Sequence, residues 1–332
     1  MPEFLKIQNK RVLVSGGAGF IGSNLCEDIL KEHNEVVCLD NLATGRLQNI
    51  DALMENKHFS FVRGDVRNIS DCRKAMKGVD LVLHQAALGS VPRSIKDPLS
   101  THEVNVNGFV NMLLAARDEG VKRFVYASSS SVYGDSKALP KTEENIGIPL
   151  SPYAVSKTTN ELYASVFHRV YGMETIGLRY FNVFGKHQDP EGEYAAAIPK
   201  FIRLFLKHHS PEIYGDGSHS RDFTYISNVV RMNHLAASTS NPSAFGQVFN
   251  TAVGDRFDLY TMVSIIQAEL AVFDPAISAI QIKYGPERPG DIPHSQASIK
   301  KAETILHYKP VHRFEEGIKD CIHWYRDKLL QD

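Results

Sequence analysis

The sequence predicts an α/β protein, with a doubly wound parallel sheet and a smaller α/β substrate-binding lobe. Through the first half of the chain, short apolar runs alternate with helical patterns, and no long polar gap separates them. A glycine-rich turn at residues 15–22 joins the first apolar run to the first helical pattern. The alternation stops near Asn182, where a polar loop containing Pro and Gly begins. These three observations define the class.

The apolar runs are predicted to be buried strands of the sheet, and the helical patterns its flanking helices. The strands are expected at 11–15, 36–40, 59–64, 81–84, 124–127 and 175–178. The helices are expected at 20–33, 71–76, 99–119 and 153–171. Because crossovers between parallel strands are right-handed, the helices should cover both faces of the sheet.

The domain boundary is predicted at residue 182, since 332 residues are many for one hydrophobic core. Residues 1–181 should form the sheet domain. Segments 223–226 and 248–251 look like strands that rejoin the main sheet, so 223–253 should return to this domain. Residues 182–222 and 254–332 should form the smaller lobe.

Composition argues against several classes of function. The net charge is −1, which gives no electrostatic case for nucleic acid or an anionic membrane as a partner. Four scattered cysteines without CxxC spacing predict reduced thiols. There is no signal segment and no apolar run of about 18 residues, so a soluble cytoplasmic protein is expected. The histidines show no ligand pattern such as HExxH, so no metal is expected.

The glycine-rich turn predicts a dinucleotide site of the Rossmann-like type. Gly16 permits the tight turn after the first strand, Gly19 lets the backbone approach a pyrophosphate, and Gly22 lets the helix pack on the sheet. The helix that starts at Phe20 and Ile21 offers free N–H groups and a partial positive charge to phosphates. The spacing is GxxGxxG rather than GxGxxG.

Acidic residues at the next strand ends indicate which dinucleotide is bound. Asp40 lies 18 residues after Gly22 (40 − 22), where a carboxylate hydrogen-bonds ribose hydroxyls and repels a 2′-phosphate, so NAD is favoured over NADP. Asp65 is expected at the adenine amino group, although Gly-Asp is also a common turn. The residues expected to complete this end of the site are Asn41, Gly45 and Val66.

Tyr153 and Lys157 form the predicted reactive pair. Residues four apart share a helix face, so the Lys157 ammonium should lie beside the Tyr153 phenol. A free phenol has a pKa of about 10, and a neighbouring cation favours the phenolate, which makes Tyr153 a usable base. Alone, the YxxxK spacing would indicate only an exposed helix. Because a dinucleotide turn is also present, the spacing instead predicts a catalytic pair.

Together these motifs resemble the extended short-chain dehydrogenase/reductase family over essentially the whole chain. Within that family the chain is most similar to UDP-hexose 4-epimerases, especially those that act on UDP-N-acetylglucosamine in bacterial surface-polysaccharide synthesis. The matching segments are 16–22, 84–87, 85–94, 105–108, 128–134, 153–157, 178–185 and 218–223. The resemblance implies an NAD that stays bound through turnover. It also implies a homodimer formed by the helices predicted at 99–119 and 153–171.

The resemblance further implies transient oxidation at carbon 4 of the sugar, rotation of the 4-keto sugar and return of the hydride to its other face. Tyr153 is then the base, and Lys157 and NAD⁺ depress its pKa. The serine that relays the proton falls on Ser129, with Ser130 beside it, and four consecutive serines leave both open. Related 4,6-dehydratases carry an acidic pair in this region, and its absence here argues against dehydration.

Further cofactor contacts are implied by the same resemblance. Ala86 and Ala87 are small enough for the backbone to run along the cofactor. Asn105 either supports the active site or is an ordinary helix-surface amide. Tyr180 either contacts the nicotinamide region or is a core tyrosine.

The resemblance also implies contacts to the nucleotide sugar. Arg221 and Arg288 are candidates for the diphosphate, since a guanidinium fork suits it, and Asp291 for the uridine ribose. The other implied contacts are Gly89, Ser90 and Asn182 near the sugar or diphosphate, Ser129 at the reacting hydroxyl, and Ala197, Ile198, Lys200 and Tyr214 around the uracil.

Ser295 is the position most informative about the sugar. Epimerases restricted to plain glucose and galactose tend to carry a bulky aromatic there, and a serine leaves room for an N-acetyl group at carbon 2. UDP-GlcNAc and UDP-GalNAc are therefore the expected substrates. Gly89, Ser90 and Arg93 near carbon 6 keep UDP-GlcNAcA open. UDP-glucose, or a nucleotide-sugar reductase or dehydrogenase of the same family, is the remaining alternative.

Overall fold

The computed structural model describes residues 6–191, 195–286 and 294–329. Within these residues the strands are β1 (Arg11–Ser15), β2 (Glu35–Asp40), β3 (Phe59–Arg63), β4 (Leu81–His84), β5 (Arg123–Ser129), β6 (Glu174–Tyr180), β7 (Val183–Phe184), β8 (Glu212–Tyr214), β9 (Ser220–Arg221), β10 (Thr224–Tyr225), β11 (Gln247–Thr251), β12 (Phe257–Asp258) and β13 (Lys283–Gly285).

The α-helices of the same residues alternate with the strands of the first half and dominate the second half. They are α1 (Phe20–Leu30), α2 (Ile69–Met76), α3 (Val91–Lys96), α4 (Pro98–His102), α5 (Gly108–Asp118), α6 (Pro152–Tyr171), α7 (Ala197–Leu206), α8 (Ile226–Ser238), α9 (Leu259–Ala271), α10 (Lys300–Leu306) and α11 (Phe314–Leu329). No helix in the described part of the chain has both the length and the apolar character needed to cross a membrane.

A seven-stranded sheet with the order β3-β2-β1-β4-β5-β6-β11 lies at the centre, and every pairing in it is parallel. Side chains from successive positions of β1 enter opposite cores: Val12 and Val14 pack in one cluster, and Leu13 packs in the other. Helices α1 and α8 cover the first face, and α2, α5 and α6 cover the second. The predicted doubly wound, Rossmann-like class is confirmed.

Strand β6 extends two residues beyond the predicted end at 178. The two added residues, Arg179 and Tyr180, are polar or amphipathic. Both side chains are buried, since Arg179 forms an ion pair with Glu161 at 2.8 Å and the Tyr180 hydroxyl bonds to Gln85 and Asn233. A satisfied polar side chain can therefore remain in a buried strand.

The helix predicted at 99–119 is interrupted by a π-helical turn. It begins at Pro98, where Asp97 caps the Ser100 N–H at 3.0 Å, and passes through the π segment Glu103–Asn107 before α5 continues to Asp118. Such turns often occur at functional sites. This one carries Asn105 towards the cavity wall described below.

The prediction that 223–226 rejoins the main sheet is wrong. Thr224–Tyr225 (β10) pairs instead with Val183–Phe184 (β7) in a separate two-stranded sheet, and Ile226 starts α8. Asp222, directly before β10, accepts hydrogen bonds from Val253 and Gly254, which follow the end of β11. These bonds hold the segment beyond the edge of the sheet. The second segment does pair with the sheet, because β11 lies beside β6.

Three helices of the second half pack into one of the two cores. Helices α7, α9 and α11 bury Phe205, Ile266 and Ile318 in the cluster that also contains Val12 and Val14 of β1. Two short strand pairs, β8 with β13 and β9 with β12, complete this part of the molecule. The second half is thus joined to one face of the sheet by continuous apolar contact.

Candidate active site

A cavity of about 430 Å³ lies at the carboxyl ends of the central strands, where the strand order reverses between β1 and β4. The predicted site residues that line it are Gly16, Gly19, Phe20, Ile21, Gly22, Asp40, Asn41, Val66, Ala86, Ala87, Gly89, Ser129, Tyr153, Lys157, Tyr180 and Asn182. The glycine-rich turn and the Tyr153–Lys157 pair therefore face one space.

The glycine-rich turn has the geometry that a dinucleotide pyrophosphate requires. Gly16 adopts φ +68°, and a Cβ there would lie 2.7 Å from the backbone nitrogen of Ala86. A Cβ on Gly22 would lie 2.1 Å from the carbonyl oxygen of Gly16. Gly19, the N-cap residue of α1, offers no side-chain cap, so the first N–H groups of the helix are free for a ligand in the cavity. This cradle fits a phosphate-bearing cofactor.

Asp40 is held in place at the wall of the cavity by backbone donors. Its carboxylate accepts hydrogen bonds from the Ala18 N–H at 3.0 Å and the Leu42 N–H at 2.8 Å. Burial raises the pKa of this carboxyl above its usual value. Gly45 does not line the cavity, but a Cβ there would lie 2.8 Å from an Asp40 oxygen. A glycine is therefore needed for Asp40 to keep its position.

Asp65 lies beside the cavity rather than in its wall. Its carboxylate accepts hydrogen bonds from Arg67 at 2.7 Å and from Asn41 at 2.9 Å. The hydrogen bond from Arg67 lowers the pKa of Asp65 to about 2. Asp65 therefore orients Asn41, and Asn41 lines the cavity.

The reactive pair is positioned by the start of α6. Ser151 caps this helix by accepting from the Ala154 N–H at 3.1 Å, and Tyr153 lies in the first turn. Lys157, one turn later, is buried and donates from Nζ to the carbonyl oxygen of Ala127 at 2.8 Å. Its ammonium lies 6.0 Å from the centre of the Tyr153 ring. The helical spacing thus places both groups at one wall.

The protonation of the pair differs from the sequence-based expectation. Burial raises the pKa of Tyr153 above its usual value, and the hydrogen bond with Ser129 only partly opposes this effect. Burial also lowers the pKa of Lys157 to about 8, while Glu161 acts to raise it. The direction of the Tyr153 shift is therefore opposite to the expected lowering by Lys157, because the effect of burial is the larger one.

The position of Ser129 distinguishes it from its neighbours. Its side chain hydrogen-bonds to Tyr153 and accepts from the Ser131 N–H at 3.1 Å. Ser130 belongs to the 3₁₀ turn Ser130–Tyr133 and is not among the cavity-lining residues in the described part of the chain. Ser128 also lines the cavity, but its hydroxyl donates to Glu161 at 2.5 Å. Only Ser129 of these three contacts the phenol.

Asn105 and Tyr180 hydrogen-bond to the loop after β4, which forms part of the cavity wall. The Asn105 side chain accepts from the Leu88 N–H at 2.8 Å and donates to the Leu88 carbonyl at 3.2 Å and to Ser156 Oγ at 3.1 Å. It is buried, so it is not a helix-surface amide. The Tyr180 hydroxyl donates to Gln85 at 3.1 Å and lines the cavity. Both residues fix the loop after β4.

The residues expected at the nucleotide sugar are more dispersed. Asn182 lines the cavity and donates from its amide to the Asp222 carbonyl at 3.0 Å. Ser90 caps α3 through the Arg93 N–H at 3.1 Å. Arg288 and Asp291 lie outside the described residues. The other residues of this set that the structure describes do not line the cavity. They are Ser90, Ala197, Ile198 and Lys200 at or near the start of helices, Tyr214 in β8, Arg221 in β9, and Ser295.

Sequence reasoning missed the carboxyl group that joins this region. Asp222 is fully buried, and its carboxylate accepts from the N–H groups of Val253 at 3.0 Å, Gly254 at 3.0 Å and Ala297 at 3.2 Å. Burial raises its pKa to about 7. Asp222 lies within the matching segment 218–223, but no local sequence pattern predicts its hydrogen bonds to three residues up to 75 positions away.

Sequence reasoning also missed further residues of the cavity wall, among them Thr44, Gln85, Leu88 and Gln188. Gln85 belongs to the matching segment 84–87, and its side-chain oxygen accepts a hydrogen bond from the Tyr180 hydroxyl. Gln188 comes from the loop after β7, lines the cavity and donates from its amide to the Val183 carbonyl at 3.2 Å. Such a loop residue carries no periodic signal.

A parallel sheet with a glycine-rich turn, an acidic residue at the end of β2 and a Tyr–Lys pair on one cavity defines an extended short-chain dehydrogenase/reductase. The family model described as the NAD dependent epimerase/dehydratase family matches residues 12–252. The chain belongs to this family, and its cofactor is NAD.

Similar proteins cover almost the whole chain. A putative UDP-glucose 4-epimerase of Methanocaldococcus jannaschii is 37% identical over 95% of this chain and 98% of its own length. The structure of a UDP-N-acetylglucosamine 4-epimerase from Methanobrevibacter ruminantium, in complex with UDP-N-acetylmuramic acid, has a TM-score of 0.90 and 36% identity, covering 97% and 100% of the two chains. The UDP-glucuronic acid 4-epimerase of Bacillus cereus, solved with UDP-glucuronic acid and NAD, has a TM-score of 0.85 and 30% identity, covering 96% and 99%.

Proposed function

We propose that the protein catalyses reversible epimerisation at carbon 4 of a UDP-hexose, with UDP-GlcNAc and UDP-GalNAc as its main substrates and a retained NAD. The observation that carries this proposal is the meeting of Tyr153, Lys157 and Ser129 in a cavity that also contains the glycine-rich turn. The similarity to a UDP-N-acetylglucosamine 4-epimerase and to other UDP-sugar 4-epimerases supports it.

The proposed chemistry restores both the proton and the hydride. When bound, NAD supplies an acceptor and donor of hydride at carbon 4. Tyr153 removes the proton from the carbon 4 hydroxyl as the C4–H bond breaks, which leaves a 4-keto sugar. It gives the proton back after the sugar has turned its other face. Ser129, which hydrogen-bonds to Tyr153, orients this transfer.

Lys157 supplies positive charge where the phenolate must form. Because burial raises the pKa of Tyr153, the ionised form needs a nearby cation. The Lys157 ammonium is fixed at 2.8 Å from the Ala127 carbonyl and remains largely charged at neutral pH, since its pKa is about 8. We assign it this role together with a contact to the nicotinamide ribose.

The sugar specificity is assigned to the segment around Ser295. Its backbone N–H donates to the Ser220 carbonyl at 2.9 Å, which holds this segment beside Arg221. A serine side chain leaves space that an aromatic ring would fill, and an N-acetyl group at carbon 2 is the proposed occupant. Arg221 and Arg288 are assigned to the diphosphate, and Asp291 to the uridine ribose. The uracil is assigned to Ala197, Ile198, Lys200 and Tyr214.

A homodimer is also proposed, through the outer faces of α4 and α6. Leu99 on α4 and Leu162 and Val170 on α6 are apolar, yet 64–67% of each is exposed. Exposed apolar side chains that recur along neighbouring helices indicate an interface. Light scattering should give twice the chain mass, and a monomer at micromolar concentration would contradict the assignment.

The function is tested by incubating the purified protein separately with UDP-GlcNAc, UDP-glucose and UDP-GlcNAcA and resolving the products by NMR. Conversion of UDP-GlcNAc to UDP-GalNAc without NADH accumulation supports the proposal. Preferred conversion of UDP-glucose or UDP-GlcNAcA would keep the reaction and correct the sugar. Stoichiometric NADH accumulation would identify a dehydrogenase, and a dehydrated 4-keto product would identify a dehydratase.

A further inference from the structure

A buried ion pair lies one helical turn beyond the reactive pair. Glu161 follows Lys157 by four residues on α6, so Tyr153, Lys157 and Glu161 share one helix face. Arg179 of β6 donates to the two Glu161 oxygens from Nε at 2.9 Å and from Nη2 at 2.8 Å. Only 10% of the Glu161 side chain and 3% of the Arg179 side chain are exposed. This bidentate geometry fixes the carboxylate rigidly.

The same carboxylate holds the end of β5. Glu161 Oε1 accepts a hydrogen bond from Ser128 Oγ at 2.5 Å. Ser128 stands between Ala127, whose carbonyl accepts from Lys157 Nζ at 2.8 Å, and Ser129, which hydrogen-bonds to Tyr153. Movement at Ser128 would therefore displace both groups that set the position of the reactive pair.

The charge of Glu161 also acts on Lys157. Burial lowers the pKa of Lys157, and Glu161 is the charged group that raises it. The other titratable groups packed around these two residues are Tyr153, His84, Tyr126 and Arg179. His84 is neutral, because burial and Lys157 lower its pKa to about 3. Glu161 thus opposes the loss of the Lys157 proton.

We infer that Glu161, clamped by Arg179, is a positioning residue for the reactive pair, a role that rests on the proposed function. It fixes the 127–129 segment that orients Lys157 and Ser129, and it keeps Lys157 charged in a buried site. A carboxylate with only a structural role would affect stability but would not move the titration of Lys157.

Glu161→Gln tests this inference, with Glu143→Gln as the matched control. The first change keeps the shape of the side chain and removes its charge. Glu143 is also buried and belongs to the same network, since its carbonyl accepts from Arg179 at 2.9 Å and its Oε1 accepts from the Asn250 N–H at 2.8 Å. It does not contact Lys157 or Ser128 through any hydrogen bond recorded for the described residues.

The direct measurement is a ¹³C NMR titration of the lysine side chains, with Lys157 assigned by its loss in Lys157→Met. We expect the Lys157 pKa of about 8 to fall by about one unit in Glu161→Gln and to stay unchanged in Glu143→Gln. An unchanged Lys157 titration in Glu161→Gln would overturn the inference. So would an equal shift in both variants.

The activity measurement separates this inference from the proposed function. The alkaline limb of kcat should move down by about one pH unit in Glu161→Gln, a loss of roughly fivefold at pH 8, with KM unchanged. If the wild-type protein epimerises no UDP-sugar, the proposed function fails, and the NMR titration still decides the effect of Glu161 on Lys157.

Ser128→Ala provides a second variant if Glu161→Gln does not fold. It removes the hydroxyl that links β5 to Glu161 but keeps the ion pair and its charge. We expect kcat to fall severalfold without a shift of the pH profile and without loss of bound NAD. A wild-type kcat in Ser128→Ala would overturn the positioning role.

Discussion

The two ends of the cavity are built in different ways. The proposed cofactor end consists of the glycine-rich turn, Asp40 and Ala86, which lie at the carboxyl ends of three adjacent strands, β1, β2 and β4, of one sheet. The proposed sugar end begins at Asn182, and the segments around it meet at the buried residue Asp222. Strand order and backbone geometry define the first end, whereas contacts between distant segments define the second. Mutations at the two ends should therefore affect different measurable quantities.

The largest effect is expected where the two ends meet. Tyr153→Phe removes the phenol that is proposed to exchange the proton, so kcat should fall by about 10²–10⁴, while NAD content and sugar affinity change little. NMR turnover assays and the absorbance of NAD released on denaturation check this. Tyr163→Phe is the matched control, because Tyr163 lies on the same helix and is exposed. Unchanged turnover in Tyr153→Phe would place the base elsewhere.

A change at the cofactor end should cause the loss of NAD without changing the sugar end. The Cβ of Gly22→Ala would lie 2.1 Å from the Gly16 carbonyl, so the turn must shift and NAD should be lost. Activity without added NAD should fall roughly a hundredfold, because displaced reacting groups have effects of this size. Gly120→Ala is the control for stability, since it strains a φ of +75° in open space. A Gly22→Ala protein that retains NAD would contradict the difference between the two ends.

A change at the sugar end should alter specificity while the cofactor stays bound. Ser295→Tyr places a ring where the N-acetyl group is proposed to lie, so kcat/KM for UDP-GlcNAc should fall by about thirtyfold relative to that for UDP-glucose. Parallel kinetics with the two substrates give the ratio directly. Equal losses on both sugars would refute the assignment of this pocket.

The smallest effect is expected at the junction behind the sugar end. Asp222→Asn directs an amide N–H group at backbone donors, which leaves a buried group unpaired at a cost of about 1–3 kcal/mol. We expect the KM of the UDP-sugar to rise roughly tenfold, with NAD content unchanged. Asp216→Asn is the control, because Asp216 is an exposed aspartate six residues away. Its carboxylate accepts a hydrogen bond from the nearby Ser218 N–H at 2.9 Å. Loss of NAD in Asp222→Asn would show that the junction also supports the cofactor end.

Much of the cofactor end was predictable because its signals are local. Gly16, Gly19 and Gly22 require only the geometry of one turn, and the Tyr153–Lys157 spacing requires only helical periodicity. The errors arose where long-range contacts prevail. Segment 223–226 has the composition of a central strand, yet the contacts of Asp222 hold it beyond the sheet. Four consecutive serines are alike in sequence, and only the turn after β5 brings Ser129 to the phenol.

The sequence by itself determined the doubly wound sheet, the dinucleotide turn and the Tyr153–Lys157 pair. Each of these depends on sterics or periodicity among residues that are close in the chain. Only the tertiary structure decided that Ser129 contacts Tyr153, that Glu161 and Arg179 lie behind Lys157, and that Asp222 joins the sugar-end segments. Those contacts connect residues that are distant in sequence, and burial in the folded core gives them both their distances and their electrostatic strength.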